Sequence, residues 1–540
     1  MATASIRAGG NGTGVSGKGL KGDALGLVSS IVIAMASTAP AYSLAATLGF
    51  VVMAVGIYSP AIMVLAFLPM LFIAIAYQEL NQDTPDCGTT FTWAARALGP
   101  RAGWMGGWGI IAADIIVMAN LAEVAGSYFF LLFGAQDLAH NTFWVTTLGC
   151  VWIALMTWVC YIGIEVSARL QYWLVAIEVV ILLLFSVVAL VKVYNDNATP
   201  ASMMPSWDWF NPFGIHSFSA FAQGTLVAIF IYWGWDTAVA VNEETEDKDK
   251  TPGQAAVIST VLLLTTYAVV TVAAQAYAGT GTTGLGLANE AHSGDVLSAL
   301  GNAVLGSTLG KLLIFMTLTS AAASSQTSIL PTARTTLAMA VYRAIPKAFA
   351  RMHPRYMTPT WSTVVMGVAS IAFYLGLTLV SENVLADSIS SVGLMVAFYY
   401  GLTGFACVWY FRRTLFKNAR NFLLRGVLPL VGGVILLIAF LESAKEMFAD
   451  DYGTTSFLGI GGVFLIGIGT LLLGMVLMEI YNWLAPAYFR GEILTADTQV
   501  VVTDEGEVVG ANSSDAKSRE HVIQPSQAAP ENAPNKRPPS

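Results

Sequence analysis

Twelve runs of roughly 20 apolar residues, each long enough to cross a bilayer as a helix, constrain this chain more than any other feature. They fall at residues 24–56, 57–78, 104–133, 143–163, 171–193, 217–242, 254–277, 308–342, 361–381, 384–411, 422–441 and 456–482. With 55% hydrophobic and only 11% charged residues, the sequence excludes a soluble globular protein of this length. The expected fold class is all-α, a polytopic membrane protein with about 12 transmembrane helices. An even number of spans puts both termini on one side. Of the 26 basic residues, only Lys192, Lys311 and Lys445 fall on the other side. The positive-inside rule therefore places both termini in the cytoplasm.

The sixth run departs from a plain membrane anchor. Gly234 and Asp236 lie near its middle, beside Trp233 and Trp235, and the run ends in the charged stretch 243–249. A continuous helix satisfies its own backbone, so the hydrocarbon core normally rejects both a helix-loosening Gly and an ionisable carboxylate. The pair predicts a locally unwound helix whose freed backbone groups face a central cavity. A kink with Asp236 bonded to a neighbouring helix is the plainer alternative. In the first run, Pro40 follows Ser37 and Thr38 at mid-membrane. Proline removes one helical hydrogen bond and clashes with the carbonyl four residues earlier, while the two hydroxyls can bond the released groups. This helix should break as well. Spans 1 and 6 are corresponding positions if spans 1–5 and 6–10 are repeats, and an odd number of spans per repeat makes the topology inverted. Paired broken helices of this kind point to a transporter binding site near the bilayer midplane.

Three ordered motifs carry a family resemblance over about residues 20–480. FIYWGWDTAVAVNEETEDKDKTPG, ending at Gly253, resembles the sixth-helix signature of the amino acid-polyamine-organocation permeases. TARTTLAMAVYRAIPKAFARMHPRYMTPTWS from Thr332 is similar to that family's stretch joining helix 8 to helix 9, and TPDCGTTFTWAARALGPRAGWMGGWG from Thr84 to its loop between helices 2 and 3. The resemblance implies the leucine-transporter fold, a 5+5 inverted repeat plus two extra helices, in a multi-pass protein of the plasma (inner) membrane. It implies a first repeat at 22–193, a second at 194–411 and helices 11 and 12 at 412–490. It also implies secondary active import of amino acids by alternating access, as proton symport, with no enzyme activity, cofactor or metal. Exchange or import of a cationic amino acid or polyamine, and sodium-coupled uptake, are the alternatives. The site is carried onto Ala36, Ser37, Thr38 and Ala39, which receive the substrate carboxylate, and onto Tyr232, Trp233, Gly234, Trp235 and Asp236, whose carbonyls receive its amino group. Half-helix N-termini suit an anion and freed carbonyls suit an ammonium. Where many members have a Gly-Ser-Gly-type run, this chain has Ser37-Thr38-Ala39-Pro40, which narrows the space beside the backbone.

The remaining polar residues within the spans are few. Asp114 and Glu123, nine residues apart, point to nearly opposite faces of a straight helix. Asp114 lies roughly 12 Å from the cytoplasmic end by helical rise and is a candidate substrate-binding residue or a buried structural hydrogen-bonding group. Glu123 is expected near the outer surface, solvated or paired. Glu178 stands where proton-coupled relatives often carry a lysine in place of a sodium ion. A carboxylate there can bind a cation or take up a proton, so Glu178 is a candidate for ion coupling; a protonated carboxyl bonded to helix 1 or helix 8 is the plainer alternative. Thr319, Ser320, Ser324 and Ser325 in span 8 could serve a sodium ion or close helix packing, and Ser324 and Ser325 join Glu178 as the ion-coupling set. The polar loop 277–306, with Asn289, Glu290, His292 and Asp295, resembles the family's extracellular loop over the entrance.

Residues 1–21 read as a flexible cytoplasmic tail and 491–540, ending in APENAPNKRPPS, as a disordered one. Cys87, Cys150, Cys160 and Cys407 lie in membrane or cytoplasmic segments, so no disulfide framework is expected. The net charge of −8 points to no partner, and nothing suggests nucleic acid. The partners expected are a small-molecule substrate, a proton or sodium ion, and the lipid bilayer. An integral-membrane enzyme would need a catalytic or metal cluster, yet His140, His216, His292, His353 and His521 are scattered over loops, helix ends and the tail. A transport-dead nutrient sensor on the same fold would bind ligand without flux.

Overall fold

The computed structural model describes residues 18–380, 384–450, 452, 456–494, 500–502 and 508–510. Twelve main helices follow the twelve apolar runs. The first, α1, is divided into Leu27–Thr38 (α1a) and Pro40–Val55 (α1b). Ser59–Asp83 (α2), Pro100–Leu132 (α3), Thr142–Ile162 (α4) and Ile164–Tyr194 (α5) complete the first half. The second half begins with α6, divided into Phe218–Ile231 (α6a) and Thr237–Ala240 (α6b), and continues with Thr251–Ala278 (α7) and Val296–Val341 (α8). It ends with Thr360–Val380 (α9) and Val384–Phe411 (α10). Ala419–Met447 (α11) and Gly462–Leu484 (α12) follow. Among the described residues, ten helical stretches are long and apolar enough to span a membrane. One of them, Leu27–Asp83, contains both α1 and α2, and the interrupted α6 is outside the ten.

Local chemistry sets the boundaries. Pro100 and Pro252 occupy the first turns of α3 and α7, where a missing N–H costs nothing. Asn141 and Ser217 cap α4 and α6a by accepting backbone N–H bonds. In the interior, α3 packs along α8 and α10, α1b lies against α6a, and α5 and α8 flank α1. The broken helices are thus enclosed by the helices that carry Asp114, Glu178 and the span 8 hydroxyls.

Three regions differ from the sequence reading. The loop after α7 is partly helical: the α8 stretch starts at Val296 and leaves helical geometry only at Gly306 (φ 82°, ψ 168°). Leu287, Val296, Leu297 and Leu300 are buried in the main core, which explains the order of a segment that reads as polar and turn-rich. Ser293 of this loop packs so closely on α1b that a β-carbon at Gly49 would lie 2.5 Å from its backbone. Lys18 and Leu20, assigned to the flexible tail, are buried. At the other end Ile493 and Leu494 join a hydrophobic cluster, and Val500–Val502 pairs antiparallel with Val508–Gly510. The rest of both expected tails lies outside the described residues.

Candidate functional site

The α1 break is centred on Ala39, which adopts left-handed geometry (φ 46°, ψ 66°) immediately before Pro40. The residue before proline is disfavoured in the helical region. The carbonyls freed at the end of α1a are met one by one. Thr38 Oγ1 donates to Met35 O (2.7 Å), Ala39 N to Ala36 O (3.2 Å), Ser324 Oγ to Ser37 O (3.0 Å) and Ser43 Oγ to Thr38 O (2.6 Å). The new N-terminus of α1b is met by α5 and α8. Ala41 N donates to Glu178 Oε1 (2.6 Å), Ser320 Oγ donates to the same oxygen (2.7 Å), and Tyr42 N donates to Ser320 Oγ (3.4 Å). A carboxylate thus sits at a helix N-terminus, where the dipole favours negative charge.

In α6 the helical bonding lapses over residues 232–236, and Gly234 takes φ +119°. Tyr267 OH donates to Ile231 O (2.7 Å), whereas among the described residues no hydrogen bond reaches the carbonyls of Tyr232 or Trp233. The two breaks touch. A β-carbon at Gly234 would lie 2.8 Å from the carbonyl carbon and oxygen of Ser37, and Ser37 Oγ is 2.8 Å from Thr237 Oγ1. Two interrupted helices from opposite halves therefore meet backbone to backbone in the buried centre.

The structure brings Ser37, Gly234 and Ser324 together, with Ala36, Thr38 and Ala39 beside them and Glu178 bonded to the next turn. The other predicted residues face elsewhere. Asp236 is held by α10, with Tyr399 OH donating to Oδ2 (3.0 Å) and Tyr400 OH to Oδ1 (2.9 Å); Tyr399 OH also accepts from Trp233 Nε1. Trp235 is fully buried against Tyr77 and Tyr400, and Tyr232 OH donates to Met63 O (3.0 Å). Asp114 accepts from Thr332 Oγ1 (2.5 Å) on α8. Ser325 Oγ turns back onto Ala321 O of its own helix (2.9 Å). Glu123 is more deeply placed than expected: its Oε2 is buried and accepts no hydrogen bond among the described residues. Ser320, Thr237, Tyr267, Tyr399 and Tyr400 are the contributors that sequence reasoning left out of the site. Two adjacent tyrosines inside an apolar run were the available signal for α10.

A second buried cluster closes the end of the bundle that carries the N-terminal segment. Lys18 Nζ pairs with Asp86 Oδ2 (3.0 Å) and with Glu243, Tyr342 OH donates to Asp86 Oδ2 (2.6 Å), and Cys87 N donates to Glu243 Oε1 (3.1 Å). Arg334 forms a two-pronged pair with Glu244 (2.9 Å each), both side chains fully buried. Glu244 O in turn accepts from Ala24 N (2.9 Å) and Leu25 N (3.1 Å). The acidic stretch after α6 thus has a structural use that its charge alone did not reveal. Asp86, Cys87 and Glu243 have the spacing of a cation site, and the Lys18 ammonium fills it.

Burial disfavours the charged forms of Asp86 and Lys18, but each gains more from its partners. Asp86 titrates below its ordinary 3.8 because Lys18, the Tyr342 hydroxyl and Arg96 outweigh burial, and Lys18 is raised well above 10.5 by Asp86, Cys87 and Glu243. A lowered acid stabilises above its unfolded value, and a raised base stabilises below its own. Both contributions are therefore intact between 3.8 and 10.5, and the latch is insensitive to physiological pH. Removing the ammonium leaves two buried carboxylates facing each other. Lys18→Ala is expected to open this end and expose Cys87, which is fully buried. Since an uncompensated buried charge costs about 3–5 kcal/mol, maleimide labelling of Cys87 should accelerate by at least about tenfold; unchanged labelling would refute the latch.

The comparisons with known proteins agree with this geometry. The family model described as "Amino acid permease" matches residues 25–478. A branched-chain amino acid permease of Bacillus subtilis is 26% identical over 327 residues, covering 57% of this chain and 65% of the relative. The match thus spans slightly under two thirds of that relative's length. A D-serine/D-alanine/glycine transporter of Escherichia coli is 22% identical, covering 62% of this chain and 69% of the relative. Among solved structures, that of MhsT in complex with L-phenylalanine superposes with a TM-score of 0.57 at 15% identity, covering 77% of this chain and 98% of the other. That likeness shows a shared fold.

Proposed function

The chain belongs to the amino acid permease family, and from that premise we propose that it imports a neutral amino acid across the plasma (inner) membrane by alternating access, coupled to a proton carried by Glu178. The observation that carries the coupling is the bond of Glu178 Oε1 to Ala41 N and Ser320 Oγ. The N-terminus of α1b is the natural receptor for a substrate carboxylate, and an ionised Glu178 competes for it in charge and in hydrogen bonds. Protonation of Glu178 removes that negative charge and weakens its hold on Ala41 N–H, so substrate and proton load together. The unbonded carbonyls of Tyr232 and Trp233 suit the substrate ammonium.

A neutral side chain is favoured because the two candidate substrate-binding acids, Asp114 and Asp236, are already engaged. Both oxygens of Asp236 accept tyrosine hydroxyls, and Asp114 accepts Thr332. A cationic amino acid or polyamine needs one of them turned towards the site. The named substrates of the two relatives above are neutral, whereas a third relative, 25% identical over 341 residues, is a cationic amino acid transporter of Arabidopsis thaliana.

The test is Glu178→Gln in proteoliposomes, together with thermal shifts on the purified protein at two pH values, with neutral and cationic amino acids as ligands. A bound ligand raises apparent stability by mass action. The native protein should be shifted by neutral amino acids, more at the lower pH. The variant should show a pH-independent shift and retain exchange, but lose accumulation; for one coupled proton, each pH unit of gradient is about 1.4 kcal/mol, or tenfold in accumulation. Unaltered accumulation by the variant sinks the role of Glu178.

A further inference from the structure

We propose that the protein binds an anionic phospholipid at a groove remote from the substrate site, with one acyl chain inside and the headgroup at its basic mouth. The groove, of about 430 Å³, is enclosed by α3, α8, α9, α12 and the segment between α8 and α9. Trp104, Trp108, Thr332, Phe349, Ala369 and Ile480 mark its walls. Its size is that of a small-molecule site, in the range of about 300–1,000 Å³.

Apart from the Tyr481 hydroxyl, the polar groups along these walls are committed to protein partners. Trp104 Nε1 donates to Ala344 O (2.9 Å) and Trp108 Nε1 to Thr470 O (2.9 Å). Thr332 Oγ1 donates to Asp114 (2.5 Å), Thr336 Oγ1 to Thr332 O (2.7 Å) and Ser362 Oγ to Phe349 O (2.8 Å). The groove therefore offers hydrocarbon contact, and a polar ligand would lose its own hydration without replacement. Between membrane helices the abundant apolar occupant is a lipid chain.

The mouth supplies the headgroup preference. The connecting segment 343–355 holds Arg343, Lys347, Arg351 and Arg355 and has no acidic residue. Lys347, Arg351 and Arg355 are exposed, and three wall residues, Ile345, Pro346 and Phe349, lie within this segment. On α12, Glu479 beside the groove is neutralised by Arg101 (3.0 Å). Basic side chains near a membrane surface favour anionic lipid by about 1 kcal/mol each, or about fivefold. The floor of the groove adjoins the transport core, because Thr332 links it directly to buried Asp114.

Native mass spectrometry of the full-length, delipidated protein titrated with phosphatidylglycerol or phosphatidylcholine tests this. The native protein should retain phosphatidylglycerol in preference. The surface variant Arg351→Ala/Arg355→Ala should lose that preference by about fivefold for each charge removed, and Ala369→Trp, which fills the groove, should retain neither lipid. Equal retention of the two lipids by the native protein, or unchanged phosphatidylglycerol retention by Ala369→Trp, overturns the proposal. If Ala369→Trp does not fold, the surface variant decides it, since a preference that survives loss of both charges also overturns it.

Discussion

Gly234→Ala is expected to abolish uptake while leaving the protein in the membrane. Two independent penalties act at this position. The backbone has φ +119°, a region L side chains rarely adopt, and the added methyl would stand 2.8 Å from the carbonyl of Ser37 and 2.9 Å from its hydroxyl. The obstacle is backbone, so it cannot rotate away as a long side chain would. The only relief is to move α6 from α1, and that is the contact on which both breaks depend. Displacements of about 1 Å at a binding centre cost on the order of 100-fold, so uptake in proteoliposomes should fall by roughly two orders of magnitude. Gly376→Ala, in α9 with nothing within 4 Å of its added carbon, is the matched control and should transport normally. Near-native uptake by Gly234→Ala would mean that the two breaks do not need to touch.

The same pair of residues shows how far the sequence could be read. Pro40 and Gly234 announce their breaks because each is locally incompatible with an uninterrupted membrane helix, and no tertiary information is needed to see it. For the same reason the apolar runs match eleven of the helices to within seven residues at either end, the start of α8 being the exception. Partnerships are different. Glu178 and Ala41 are 137 positions apart, Ser37 and Thr237 are 200, and Lys18 and Glu243 are 225. Nothing in a local pattern says that Glu178 faces the start of α1b rather than a pore or the lipid. Asp236 is the instructive case: its position beside Gly234 suggested a substrate contact, but the answer depended on Tyr399 and Tyr400, more than 160 residues away. The helix at 296–305, VLSALGNAVL, is missed because it is only ten residues long and follows the Gly-rich polar stretch 279–295, although seven of its own residues are apolar.

The Arg334–Glu244 pair carries the second large effect. Arg334 on α8 meets Glu244 just beyond α6b with two hydrogen bonds of 2.9 Å, and neither side chain has any exposure. A buried pair is not in itself a strong stabiliser, because desolvation offsets much of the attraction, but removing one member leaves a charge with neither water nor partner. Arg334→Met and Glu244→Gln should each lower stability by about 3–5 kcal/mol, read as a large fall in thermal transition and in detergent-extracted monodisperse protein. The double variant Arg334→Met/Glu244→Met should recover much of that loss, since no charge is left unpaired. Transport should not recover with it. The backbone of Glu244 holds Ala24 and Leu25, and the next residues bridge Leu25 to Thr245, so the pair fixes where α1a begins relative to α6b. In the alternating-access cycle proposed above, that clamp would be released and remade. A pair that is costly to break but satisfied when closed gives two discrete positions, whereas an apolar replacement slides between them. Folding restored without transport in the double variant would assign the pair to gating; recovery of both would reduce it to a structural contact.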